Sequence, residues 1–269
     1  MKKRLSTYCS PSYYLVSKLS IILVSFIIVF AACSPKNQSV KSNAKAISHE
    51  LWDTLLQKHV STDGKVNYKG FLQDSTSLNQ YLAVLEQHHP NDKNWTKMQQ
   101  QAYWMNAYNA FTVALILKNY PLKSIKDITR GPSIPFINSP WNLNFIEIEG
   151  HKYDLNDLEH NILRPQFNDP RIHFGINCAS ISCPNLHDKA FEASNLDKTL
   201  DSLSRAFLSD TSKNILTNKA VQLSSIFKWF SGDFTKEGTI IDFLNRYTAI
   251  KISNDATIDY LPYNWQLNE

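Results

Sequence analysis

Hydrophobic side chains lie on nearly every face of the segment Trp95 to Lys118, which predicts a helix buried all round and stopped by Pro121. Flanking segments are sparser and periodic. Ile47, Leu51 and Leu55 recur at helical spacing within 44–58, and Leu78, Leu82 and Leu85 do so within 75–87. Leu196, Leu200, Leu203 and Phe207 line one face of a helix over 196–208 with Ser194 or Asn195 as its cap, and 240–247 reads as a final helix. A shorter helix runs from Asn156 to Leu163 and is expected to end at Pro165. Strand-like alternation is found at Val66 and Tyr68 after the Asp63-Gly64 turn, and at 258–260 as an edge strand. The stretches 145–148 and 151–153 form a hairpin about Glu149-Gly150. From Arg171 to Asn177 the alternation is clean, with Ile172, Phe174 and Ile176 on one face and His173 on the other, predicting a strand. Ile125 to Trp141 is proline-rich and aperiodic, an ordered loop, and 226–234 is aromatic-rich. The sum is an α+β fold, a helix-dominated single domain with a buried central helix and a small sheet.

The first residues follow a different plan. Lys2, Lys3 and Arg4 precede an apolar run, Leu19 to Ala32, of 14 residues. A helix of that length rises about 21 Å, short of a hydrocarbon core of about 30 Å. Positive charge, a short apolar run and small residues are the layout of a secretory signal. Phe30-Ala31-Ala32-Cys33 resembles the lipobox of bacterial lipoproteins, whose cysteine is acylated and becomes the mature amino terminus. An uncleaved anchor is the alternative, disfavoured because nothing apolar follows Cys33 to complete a span. The expected organisation is a signal peptide at 1–32, a polar tether at 33–45 and a globular domain at 46–269. Lipidation at Cys33 implies export and a lipid anchor in the cell envelope. Ser34 after the cysteine, rather than an aspartate, resembles sorting to the outer membrane.

Net charge depends on whether the leader is counted. The chain has 28 basic and 24 acidic residues, and the leader holds four basic and no acidic ones, so the remainder is neutral. No basic stripe remains to suggest nucleic acid. Residues 33–269 suffice for one sizeable core or two small ones. Of four cysteines, Cys9 leaves with the leader and Cys33 takes lipid, so the domain keeps Cys178 and Cys183.

Several phrases resemble the family known as domain of unknown function 547 (DUF547), found in bacterial envelope proteins and in eukaryotes. They are Ala102-Tyr103-Trp104-Met105-Asn106-Ala107-Tyr108-Asn109-Ala110, the run Leu158 to Pro165, the run Asp169 to Ser180, and Ser182-Cys183-Pro184. Lys228-Trp229-Phe230, Asp233-Phe234 and Tyr263-Asn264-Trp265 complete a resemblance that spans roughly Glu50 to the carboxyl end. It implies a domain and no particular reaction.

The densest chemical constellation is His173, Cys178, Cys183 and His187, and three readings compete. Cys178 is a thiol nucleophile, with His173 or His160 as base and Asn109 as orienter or oxyanion donor. Alternatively the four residues hold zinc, although their spacing matches no standard finger. Or Cys178 and Cys183 form a structural disulfide, the ordinary expectation for an exported pair. Strand alternation would place His173 and Cys178, five apart, on opposite faces. Asn106 and Asn109, buried on the central helix, call first for backbone partners in a neighbouring loop. Arg164 and Arg171 are expected to pair with Asp157, Glu159 or Asp169, and Trp229, Phe230 and Phe234 to be core. No motif calls for a cofactor or a metal, and none names a protein or small-molecule partner. Two functions follow: an envelope lipoprotein whose domain binds a ligand or partner, or a thiol-dependent hydrolase or transferase acting on amide or peptide bonds.

Overall fold

Three short helices lead into one long one: α1 (Glu50–His59), α2 (Tyr68–Gln73), α3 (Ser75–Glu86) and α4 (Lys97–Asn119). The computed structural model describes residues 41–128 and 139–269. The segments expected to be signal peptide (1–32) and most of the tether, with Cys33, therefore lie outside the described residues, as does 129–138 of the proline-rich loop. The described residues fall in one compact unit.

Helix α4 is the axis. Thr96 and Gln99 close a capping box at its start, which satisfies two otherwise orphaned backbone donors. Tyr103, Trp104, Met105, Asn106, Ala107 and Tyr108 are all buried in succession. Helices α1 to α3 pack around it through Trp52, Leu56, Phe71, Leu78 and Leu85. Among the described residues no helix is long and apolar enough to cross a membrane.

Helix α2 corrects the strand expected at Val66 and Tyr68. Val66 makes only an isolated bridge to Val60, and Tyr68 opens a helix because the Asn67 side chain caps it, accepting from the Gly70 amide at 2.9 Å.

Past α4, β1 (Ile146–Ile148) and β2 (His151–Tyr153) form the expected antiparallel hairpin. Glu149 and Gly150 take φ of 46° and 78°, the positive pair that a two-residue hairpin turn requires. A π-helical segment, Asp157–Leu163, then runs straight into α5 (Arg164–Phe167). Pro165 does not end this helix. The Arg164 amide reaches back five residues to Glu159 O, and the widened turn leaves Pro165 near the start of a fresh helical turn, where a missing N–H costs little.

The strand expected over 171–177 is replaced by α6 (Ile172–Gly175). The Asp169 carboxylate accepts from the Arg171 amide, while Asp169 O and Pro170 O accept from Ile172 and His173, winding the chain into a helical turn. All four residues of α6 are buried, so its alternation never separated an inner from an outer face. Ile172 and Ile176 pack in the core around α4, and Phe174 packs in a second cluster with Phe207, Phe227, Phe234 and Phe243.

That second cluster is built by α7 (Leu196–Ser209), β3 (Ile215–Leu216), β4 (Ala220–Leu223), α8 (Ser225–Trp229), α9 (Ser231–Phe234), α10 (Ile240–Tyr247) and β5 (Thr257–Tyr260). Strands β3, β4 and β5 form one sheet, with β4 antiparallel to β3 and parallel to β5. The fold is a helix-dominated α+β domain with a buried central helix, as its periodicity implies; β3 and β4 are additions, too short to show an alternation of their own.

Candidate functional site

The two asparagines of α4 hold the loop that carries the thiols. Asn106 exchanges hydrogen bonds with the backbone of Phe191, both 2.9 Å. Asn109 donates to Gly175 O at 2.9 Å and accepts from the Asn177 amide at 2.8 Å. Both amides thus serve backbone groups of a neighbouring segment, as buried amides generally do. Asn109 sets the residue before Cys178 and has no bond to the sulfur. Asn177 continues the chain of supports, donating to Pro184 O at 2.7 Å and accepting from the Ala179 amide at 2.8 Å. Between them Ala179 takes φ of 59°, a left-handed conformation that costs a residue with a Cβ about 1–2 kcal/mol. The loop is over-determined by buried amides, and its strain sits beside Cys178.

Cys178 and Cys183 are both free, Cys178 half-buried and Cys183 buried. The Cys178 sulfur lies 3.3 Å from Ser180 Oγ and 3.3 Å from the Tyr263 hydroxyl. The Cys178 amide donates to Cys183 Sγ at 3.1 Å. Hydrogen bonding from Cys183, aided by Ser180 and Tyr263 and opposed by burial, brings the Cys178 thiol from 9.0 down to about 7. Burial and the neighbouring Cys178 push Cys183 well up, so it stays a neutral donor. Its proton has a second acceptor in Ile176 O at 3.8 Å, but that contact is long, and a thiolate is the stronger acceptor.

The opposite wall carries ionisable groups from three elements. Glu159, on the π-helical segment, is lifted to about 7, first by burial and then by the Cys178 charge, against Arg164 and a hydrogen bond from Tyr108. Its Oε2 is 3.4 Å from the Tyr108 hydroxyl and its Oε1 3.8 Å from His173 Nδ1. His173 Nε2 sits 2.8 Å from Asp233 Oδ2, which also accepts from Arg164 Nε at 2.6 Å. Burial would raise Asp233, but the bonds from His173 and Arg164 overcome it and hold the carboxyl well below the usual carboxylate range. Burial lowers His173 despite those contacts. With Asp233 ionised and His173 neutral, the shared proton belongs on Nε2, and Nδ1 is left as an acceptor toward Glu159. Arg164 also donates to His160 Nδ1 at 2.9 Å. His160 keeps an exposed edge, yet burial of the rest of its ring and the Arg164 charge bring it down to about 4.

Both walls line one cavity of about 170 Å³. Of the predicted site residues, Cys178, Cys183, His173 and His160 share it, and Asn109 stands behind it. His187 does not line it and instead lies 3.3 Å from Asp188. Among the described residues no group of three or more His, Cys, Asp or Glu side chains is placed to hold a metal ion. No imidazole nitrogen of the described residues is hydrogen-bonded to the Cys178 sulfur, whose partners are hydroxyl and thiol groups.

Sequence reasoning did not anticipate Tyr263, Ser180, Tyr108 or Asp233 as site residues. Arg171 does pair with Asp169, together with Asp197 and Asp201, but Arg164 takes Asp233. Phe234 is core, whereas Trp229 is 48% exposed and lines the cavity. The available signal was the cluster of polar residues within the quoted motifs, and periodicity could not join Asp233 or Tyr263 to residues far earlier in the chain.

Fold and site together define a helix-dominated α+β domain with a thiol-bearing, aromatic-walled pocket. Residues 93–208 match the model of a family described as "Protein of unknown function, DUF547", which supports assignment of this stretch to the DUF547 family. The matched stretch contains α4, Glu159, His160, His173 and both thiols, and it ends before Trp229, Asp233 and Tyr263. Neither the curated proteins nor the solved structures gave a match.

Proposed function

We propose that this domain performs thiol-dependent acyl transfer, hydrolysing or transferring an amide or peptide bond with Cys178 as nucleophile. The observation that carries the reading is the Cys178 sulfur in a pocket wall, flanked by Ser180, Tyr263 and Cys183, with its thiol brought down to about 7. A thiolate at neutral pH is what such chemistry requires. The sulfur electron pair attacks the carbonyl carbon, and the carbonyl π pair moves onto oxygen, within reach of the Tyr263 hydroxyl as donor. Collapse breaks the C–N bond, and the amine leaves with a proton from protonated Glu159. The resulting carboxylate takes a proton from water or an acceptor nucleophile as that group attacks the thioester, and Cys178 departs as thiolate. His173 and Asp233 orient and buffer Glu159 through Nδ1.

The direct test is intact mass after exposure to p-nitrophenyl acetate. One acetyl group per chain is expected, on Cys178, and absent in Cys178→Ala. Acetyl groups scattered over lysines, with none on Cys178, would overturn the reading.

One observation favours a second reading, binding without turnover: no imidazole of the described residues serves the Cys178 sulfur. That outcome would show a small molecule protecting Cys178 saturably from alkylation while no acyl adduct forms. In either case the proposal includes export and lipid anchoring through Cys33, with sorting to the outer membrane, supported by the lipobox-like Phe30-Ala31-Ala32-Cys33. Mass spectrometry of the native amino terminus tests it, and an intact leader without fatty acid would refute it.

A further inference from the structure

We infer that the acyl group accepted by this pocket is short, neutral and apolar, about the bulk of one six-membered ring, and is joined to a larger leaving portion that remains outside. The inference rests on the thiol reading above and adds the substrate class.

Size comes first. The cavity is about 170 Å³, and a dry apolar cavity of about 150 Å³ takes one benzene molecule. Tyr108, Ile176 and Ile226 are buried and make the inner walls. Protein interiors of this density do not open by several methylenes without strain.

Orientation follows from Tyr263. Its hydroxyl is 3.3 Å from the Cys178 sulfur, and its ring is 4.8 Å from Trp229 and 4.5 Å from Trp265. Trp229 and Trp265 are themselves stacked at 5.8 Å, and Trp229 is 48% exposed. The sulfur therefore sits at the level of a fixed aromatic rim. A carbonyl attacked there sends its acyl chain inward to the buried walls and its leaving group outward past the two tryptophans.

Charge is the third constraint. Among the described residues lining the cavity none is lysine or arginine, and Glu159 and Cys178 are both acids. The Arg164 guanidinium behind Phe230 is already held by Asp233 at 2.6 Å and by His160 at 2.9 Å. A carboxylate on the acyl group would therefore be buried beside the two acids with no cation of its own among the lining residues, which is strongly unfavourable. The pocket thus selects against dicarboxylic acyl groups on charge and against long fatty acyl groups on volume.

The test uses p-nitrophenyl esters of acetate, hexanoate, phenylacetate, dodecanoate and succinate, the last carrying a free carboxylate. The rate of Cys178 acylation is followed by p-nitrophenolate release and intact mass, with the dodecanoate below its micellar concentration. Hexanoyl and phenylacetyl are expected to react fastest, each by about tenfold or more over dodecanoyl and succinyl, within the range that pocket fit commonly supplies. Ile226→Ala, which enlarges the buried inner wall, is expected to narrow the gap to dodecanoyl and leave that to succinyl. Acylation of Cys178 with dodecanoyl or succinyl as the fastest group, or at uniform rates, would overturn the inference while leaving the thiol reading in place. Failure of every ester to acylate Cys178 in the folded protein would overturn both.

Discussion

The two walls of the pocket reach their unusual protonation states by opposite means. On the thiol wall every partner of Cys178 is a neutral donor: Cys183, Ser180 and Tyr263. On the carboxyl wall two partners are cations: Asp233 is held between neutral His173 and the Arg164 guanidinium, with Lys236 3.4 Å away. Neutral donors can be removed one at a time with graded effect, whereas a buried ion pair that loses one member strands the other. The first wall tunes a thiol. The second fixes a scaffold and sets a carboxyl beside it that exchanges protons near neutrality.

The largest effect should come from breaking the charged wall. Asp233→Ala leaves Arg164 and His173 without their shared acceptor and is expected to cost about 3 kcal/mol in urea unfolding. A loss under about 1 kcal/mol would mean that water replaces the carboxylate and that the wall is not a closed network.

Glu159 sits on the same wall but should behave in the reverse sense. Its carboxyl is raised from 4.5 to about 7, so its stabilising contribution is full below 4.5 and is lost as pH rises through about 7. Glu159→Gln removes that loss and should raise stability at pH 8, relative to pH 4, by on the order of 2 kcal/mol. Equal effects at both pH values would show that Glu159 is ordinary.

The thiol wall is read by alkylation. Cys178 is lowered from 9.0 to about 7, so the fold favours the thiolate; this contribution is present above 9.0 and is lost as pH falls through about 7. The iodoacetamide rate for Cys178 should therefore reach half its maximum near pH 7. Tyr263→Phe deletes one donor and should move that midpoint upward by about one unit, a tenfold loss of thiolate fraction well below the midpoint. An unchanged midpoint would assign the shift to Cys183 and Ser180 alone. The smallest effect belongs to the rim: Lys126 lies 4.7 Å over the Trp265 ring, and Lys126→Ala should change stability by no more than about 0.5–1 kcal/mol.

Sequence periodicity located nearly every long element because each buries a stripe or a whole surface against one core. Helices α3, α4, α7 and α10 lie where their apolar spacing places them, α1 begins only at Glu50 and leaves Ile47 before it, and the β1–β2 hairpin lies at its Glu149-Gly150 turn. The errors fell where apolar pattern carries no direction. Residues 171–177 alternate perfectly yet form α6, because every residue of α6 is buried and Asp169 with Pro170 starts a helical turn. Pro165 was expected to end its helix, and the π-helical widening before it carries the helix past.

A buried central helix, the polar phrases around the thiols and the backbone partners of Asn106 and Asn109 could be read from residue order alone, because hydrophobic burial and the need to satisfy buried amides are local demands. Which groups meet depends on how the elements pack. Cys178 finds its donor in Tyr263 and His173 finds its acceptor in Asp233, each joined across more than 50 residues of sequence. A thiol's acidity depends on the few atoms within hydrogen-bonding distance of it, and those atoms are selected by packing between elements that the order of residues does not bring together.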